Sequence, residues 1–246
     1  MKSALRVVGL LVLALLALQL YFILRIAAMA VIAPESTTFE RSQAWQIVAE
    51  KGRLPWRQQW VPYAQISDNL KRAVVASEDD GFSSHGGVDW DAIQKAWDKN
   101  AKAEQRAASR KPTAPQAAAT AKPPKIVGGS TITQQLAKNL FFTGERTLLR
   151  KGQELVVTLL LEQFLSKQRI LEIYLNHVEW GEGVFGAEAA AQHYFRKSAS
   201  KLNAYEAARL AVMLPRPRYF EKLPNSAYVA GRASVIVGRM GDAQLP

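Results

Sequence analysis

The sequence predicts a mainly α fold preceded by one membrane-spanning helix. Three observations carry that prediction. Successive segments repeat apolar residues at helical spacing, as Ile66, Leu70, Ala73 and Val74 do. No run of β-branched residues alternates with polar ones, and no Asn-Gly or Asp-Gly turn joins two such runs. Between Arg6 and Arg25 lie 18 residues, VVGLLVLALLALQLYFIL, in which Gln19 is the one strongly polar side chain.

A helix of that length spans ~27 Å, close to a hydrocarbon core of about 30 Å. The apolar character continues to Ala33, so the expected span is 7–33, with Arg25 snorkelling. A cleaved signal peptide is disfavoured, because the run exceeds an h-region of about 7–15 residues. Lys2 and Arg6 precede the span, so residues 1–6 form a cytoplasmic tail and the rest of the chain faces the opposite side.

Segment 34–65 carries Pro34, Pro55 and Pro62 with Trp45, Trp56 and Trp60. It reads as a connector of one or two helical turns with an interfacial stretch. The rest, 66–246, is one domain by its length and apolar content. Residues 66–77 are helical, Gly81 breaks the pattern, and VDWDAIQKAW resumes it. Residues 99–125 hold seven basic residues against one glutamate and no large apolar side chain, so a mobile basic loop is expected. TITQQLAKNLF is helical again. LVVTLLLEQFL, 155–165, is apolar on nearly every face, as a fully buried helix is. SKQRILEIYLN, GAEAAAQHYF and NAYEAARLAVML complete the set.

Net charge is +11. Such a surface suits nucleic acid, anionic lipid or a phosphorylated substrate, and the membrane span argues against nucleic acid. The chain has no cysteine, which excludes disulfides and thiolate metal sites.

Three stretches can do chemistry. In ASEDDGFSSHGG, 76–87, Glu78, Asp79 and Asp80 end a buried helix beside Phe82. Desolvation there raises a carboxyl pKa toward that of a general base. In GGSTITQQLAKNLF, 128–141, Thr131, Gln135 and Lys138 share a helix face, and Ser130 and Thr131 sit at its start behind two glycines, a ready anion site. In RKGQE, 150–154, Arg150, Lys151 and Glu154 share one helix end; the bland alternative is a surface ion pair. Two carboxylates, an anion-binding helix start and clustered cations suggest glycosyl transfer from a diphosphate leaving group, which needs no strong general acid.

EDDGFSSHGG, GGSTITQQLAKN, RKGQE and KQRILEIYLN, in this order, resemble the successive motifs of the bacterial peptidoglycan glycosyltransferases over roughly residues 70–240. With a membrane helix and no penicillin-binding domain after it, the chain resembles the monofunctional members. The resemblance implies a lysozyme-like head with a smaller membrane-proximal jaw. It implies lipid II and a growing glycan strand as partners, at the bacterial inner membrane with the catalytic domain in the periplasm. Other cell-wall synthesis or division proteins are further partners of this kind. Glu78 matches the base that activates the acceptor 4-hydroxyl, and Glu154 the second glutamate. Lys138, Arg150 and Lys151 match the donor's diphosphate site. Ser130, Thr131, Gln134, Gln135 and Asn139 belong to the same binding wall, and His85 orders the glycine-rich turn. No cofactor is required by the motifs, and Mg²⁺ or Mn²⁺ at the diphosphate is left open, since no cluster has metal-site spacing that stands alone. The 99–125 tract is longer than the family pattern, and Arg196 stands where a small residue is expected after Tyr194-Phe195. A lytic enzyme on the same fold has no use for the diphosphate cations, and a non-catalytic scaffold has none for both glutamates.

Overall fold

The computed structural model describes residues 2–109, 129–143 and 147–246. Helix α1 (Lys2–Met29) includes an apolar stretch, Ser3–Met29, long enough to cross a membrane. It stops at Met29 rather than at residue 33, where Arg169 Nε donates to the Met29 carbonyl at 2.8 Å. Its first half is bare, whereas Phe22, Ile26 and Met29, at spacings that return to one face, are buried. Phe22 meets Phe141 edge-on at 5.1 Å between centroids.

The connector is more structured than its sequence suggests. Helix α2 (Thr38–Lys51) has 14 residues, not one or two turns. It starts on a capping box: Thr37 Oγ1 accepts from the Glu40 N–H, and Glu40 Oε2 accepts from the Thr37 N–H at 2.6 Å. The other Glu40 oxygen meets His177 Nδ1 at 2.8 Å and accepts from Gln58 Nε2 at 2.7 Å. The connector is thereby pinned to the head. Strand β1 (Arg57–Gln58) pairs in parallel with β3 (Val184–Phe185), which pairs antiparallel with β2 (Glu179–Gly181). Residue 66 is therefore not where the head begins. These strands have two or three residues, too short for alternation to register in sequence.

Helix α3 (Asp68–Glu78) is capped by Ser67 Oγ. Helix α4 (Trp90–Ser109) overturns the expected start of the loop: residues 99–109 continue the helix. Alanine, lysine, glutamate and arginine are strong helix formers, so lack of an apolar anchor left the helix exposed without ending it. Residues 110–125 of the expected loop lie outside the described residues. Helices α5 (Ile132–Phe141), α6 (Leu148–Phe164) and α7 (Lys167–His177) form one layer. Helices α8 (Ala187–Phe195), α9 (Ala204–Met213), α10 (Pro217–Phe220) and α11 (Ala227–Arg239) follow, with α9 packed between α3 and α11. Arg196 adopts φ +57° at the end of α8, the left-handed conformation that explains why a small residue was expected there.

Helix α6 is not fully buried. Val157 and Leu161 face the core, but Leu155, Val156 and Leu159 are exposed. The helix packs on α1, and Gln19 of α1 exchanges amide hydrogen bonds with Gln153 at 3.3 and 3.4 Å. An all-round apolar pattern does not distinguish a protein core from an apolar solvent.

Candidate active site

Glu78 is the last residue of α3, which Leu70, Val74 and Val75 bury against the rest of the head. Burial pushes its carboxyl above the usual carboxylate range, and the neighbouring Asp79 adds to that; hydrogen bonds from Gln135 and Ser77 oppose it. The C-terminal end of a helix, carrying partial negative charge, also disfavours an ionised carboxylate. Gln135 Nε2 donates to Glu78 Oε2 at 3.1 Å.

Asp79 does something different. It is buried, and its Oδ2 accepts from the Ile132 N–H at 2.9 Å. Its Oδ1 meets His85 Nε2 at 2.8 Å, and His85 Nδ1 accepts from the Gly87 N–H at 3.1 Å. The ring therefore carries its proton on Nε2 and donates to Asp79. Gly87 has φ +88°, and a Cβ there would meet Glu162 Cγ at 2.7 Å, so glycine is required. The Gly87 carbonyl accepts from Thr131 Oγ1 at 2.6 Å. His85 thus braces the glycine-rich turn against α5, in the role assigned to it from the sequence.

This brace changes the reading of the α5 start. Thr131 Oγ1 accepts from the Gln134 N–H and Gln134 Oε1 accepts from the Thr131 N–H, a capping box at 3.1 Å each way. With Asp79 on Ile132, the helix N-terminus already holds an anion of its own chain. It is not a vacant anion site, and the Gln134 side chain serves as its cap. Asp79, His85 and Asp89 bring ligand-type atoms within 4.8 Å of one another, yet those of Asp79 and His85 are committed to these bonds.

Two cavities meet at Ser77 and Glu78. The first, about 380 Å³, is lined by Asp80, Asp89, Lys95, Lys99, Ser130, Thr131 and Arg239. The second, about 450 Å³, is lined by Arg216, Tyr219, Phe220, Tyr228 and Arg232. One wall is polar and ionic, the other aromatic and cationic. Of the residues singled out in the sequence, Glu78, Asp79, Asp80, Ser130 and Thr131 line the first cavity. Asn139 is buried and Lys138 exposed on α5. Lys138, Arg150, Lys151 and Glu154 line neither cavity among the described residues.

Glu154 forms its own centre on α6. It is buried, its Oε2 accepts from Arg150 Nη1 at 2.8 Å, and Lys151 Nζ bonds its Oε1. Arg150 Nε is buried and meets no acceptor among the described residues. Sequence reasoning missed Lys95 and Lys99. Their i, i+4 spacing on one helix face was the available signal, but Lys99 was grouped with the loop. It also missed Tyr174, a phenol in the apolar stripe of α7 whose hydroxyl must find a partner.

A helical head with a desolvated glutamate set where two cavities meet has the form of an enzyme active site. The chain matches the transglycosylase family over residues 46–110 and 111–241. It is 53% identical over 231 residues to a biosynthetic peptidoglycan transglycosylase of Burkholderia thailandensis, covering 94% of this chain and 83% of that protein. It is 49% identical over 235 residues to one of Herminiimonas arsenicoxydans, covering 96% and 94%. A third, from Janthinobacterium sp., is 51% identical with the same coverage. The chain belongs to the transglycosylase family, and its fold is the mainly α, lysozyme-like one. It is a glycosyltransferase.

Proposed function

We propose that this enzyme polymerises lipid II into β-1,4-linked glycan strands and releases undecaprenyl diphosphate. The observation that carries the reading is Glu78: desolvated, bonded by a neutral amide, and set where the two cavities meet. Glu78 takes the proton of the acceptor 4-hydroxyl as the O4–C1 bond forms. The C1–O bond to the diphosphate breaks on the opposite face, with inversion. Lys138, Arg150 and Lys151 neutralise the departing diphosphate, and Lys95 and Lys99 add two cations on the Glu78 cavity. Glu154 holds Arg150 and Lys151 in place. Ser130, Thr131 and Asn139 belong to the binding wall. No resident cofactor enters this reading; Mg²⁺ or Mn²⁺ accompanying the diphosphate is tested by chelation.

The Lys2 and Arg6 charges in the first turns of α1, ahead of its apolar run from Val7, support single-pass insertion in the inner membrane with the head in the periplasm. The partners are membrane lipid, lipid II, the growing strand and other cell-wall synthesis proteins. Purified full-length protein given lipid II and, separately, finished glycan strands tests the reading. Polymer from lipid II supports it. Shortened strands point to a lytic enzyme, and no change in either to a scaffold.

A further inference from the structure

Gln135 was expected on the substrate-binding wall, but both ends of its amide are used inside the protein. Nε2 donates to Glu78 Oε2 at 3.1 Å, and Oε1 accepts from the Tyr174 hydroxyl at 3.0 Å. Tyr174 is 1% exposed and comes from α7, a different helix from both partners. We propose that Tyr174 is a positioning residue for the transfer, acting on Glu78 through the Gln135 amide. The inference rests on Glu78 being the base.

A general base begins the reaction ionised. A carboxylate facing an amide N–H is stabilised; one facing an amide carbonyl is repelled. The amide presents its N–H to Glu78 only if its carbonyl is satisfied on the other side. Tyr174 supplies that donor. Its phenol keeps its proton, because burial first, then the charges of Glu78 and Asp79, hold its pKa well above the usual value. Removing the hydroxyl takes the protein donor from the half-buried Gln135 Oε1, a situation that costs free energy until the amide turns. Glu78 then loses the donor that offsets its desolvation.

The other charged groups facing Glu78 are Asp79 beside it, Asp80, Asp89, Lys95, Lys99 and Arg239 across the first cavity, and Arg216 and Arg232 across the second. The Tyr174 hydroxyl donates to Gln135, and these charged groups are the same in wild type and Tyr174→Phe, so their effects cancel between the two enzymes.

The test is the pH dependence of lipid II polymerisation by full-length wild type, Tyr174→Phe and Glu78→Gln in the same detergent. Tyr174→Phe deletes one oxygen and keeps the ring. The acid limb of kcat is expected to move up by about one pH unit, the scale of one hydrogen bond to a charged group. Near the wild-type midpoint kcat falls about fivefold, the loss approaches roughly tenfold well below it, the rate recovers at higher pH, and KM for lipid II is unchanged. A role in packing alone lowers activity evenly across pH, with no shift of the limb. An unshifted limb in Tyr174→Phe with Glu78→Gln inactive overturns the relay and leaves the base assignment intact. Substantial turnover by Glu78→Gln overturns the base assignment and the relay together.

Discussion

The two glutamates that the sequence set in parallel live in opposite electrostatic surroundings. Glu78 closes a helix, is desolvated, and is bonded by a neutral amide. Glu154 is also buried, but Arg150 and Lys151 on its own helix neutralise it from both sides. Desolvation favours the protonated form of Glu78, whereas Glu154 fixes the two cations in contact with it. One environment suits proton transfer and the other suits holding a positive cluster. The same residue type in two motifs is thus given two environments by what packs around it.

Four substitutions break or sharpen this contrast. Glu78→Gln keeps the shape and removes the base, so polymerisation should fall by about 10³-fold, within the range for general base catalysis. The same variant tests the desolvation directly. A carboxyl whose folded pKa lies above its unfolded value binds its proton more tightly in the folded state. Its ionisation therefore costs stability, fully above the folded pKa, and the cost is relieved as pH falls toward the unfolded value of about 4.3. Glu78→Gln should melt above wild type at about pH 8, with the gap closing near pH 4. A gap that is constant with pH removes the argument from desolvation.

Glu154→Gln is expected to act through the fold as much as the rate. Lys151 is half-exposed and loses little, but stranding the largely covered Arg150 should cost about 2 kcal/mol, the scale of a hydrogen bond between charged groups. Unfolding in denaturant measures it; an unchanged midpoint would show that the cluster is solvated like an ordinary surface pair. Asp79→Asn comes next. Asp79 accepts on both oxygens, from Ile132 N–H and from His85, and an asparagine accepts on only one. A loss of about 2 kcal/mol is expected, with activity falling less than in Glu78→Gln. Asp80→Asn should be smallest. Its bond to Arg239 Nη2 is long, at 3.3 Å, and exposed, so the effect should stay within about 0.5 kcal/mol and the rate near wild type. An inactive Asp80→Asn beside an active Glu78→Gln would move the base by two residues.

The sequence by itself determined the periodic and the local. The apolar stretch from residue 7 and the helices carrying TITQQLAKNLF and KQRILEIYLN follow from spacing and capping along the chain. Only the tertiary structure decided what depends on distant partners. It made Asp79 the anion at the start of α5, 53 residues away, and closed the site that the two glycines had seemed to leave open. It carried the helix through residues 99–109, because helix propensity needs no burial, whereas the expected loop was argued from burial. It left Leu155, Val156 and Leu159 uncovered. It turned Gln135 inward between Tyr174 and Glu78. A pattern along the chain states which face a residue occupies; which group from another segment meets that face is set only when the helices pack.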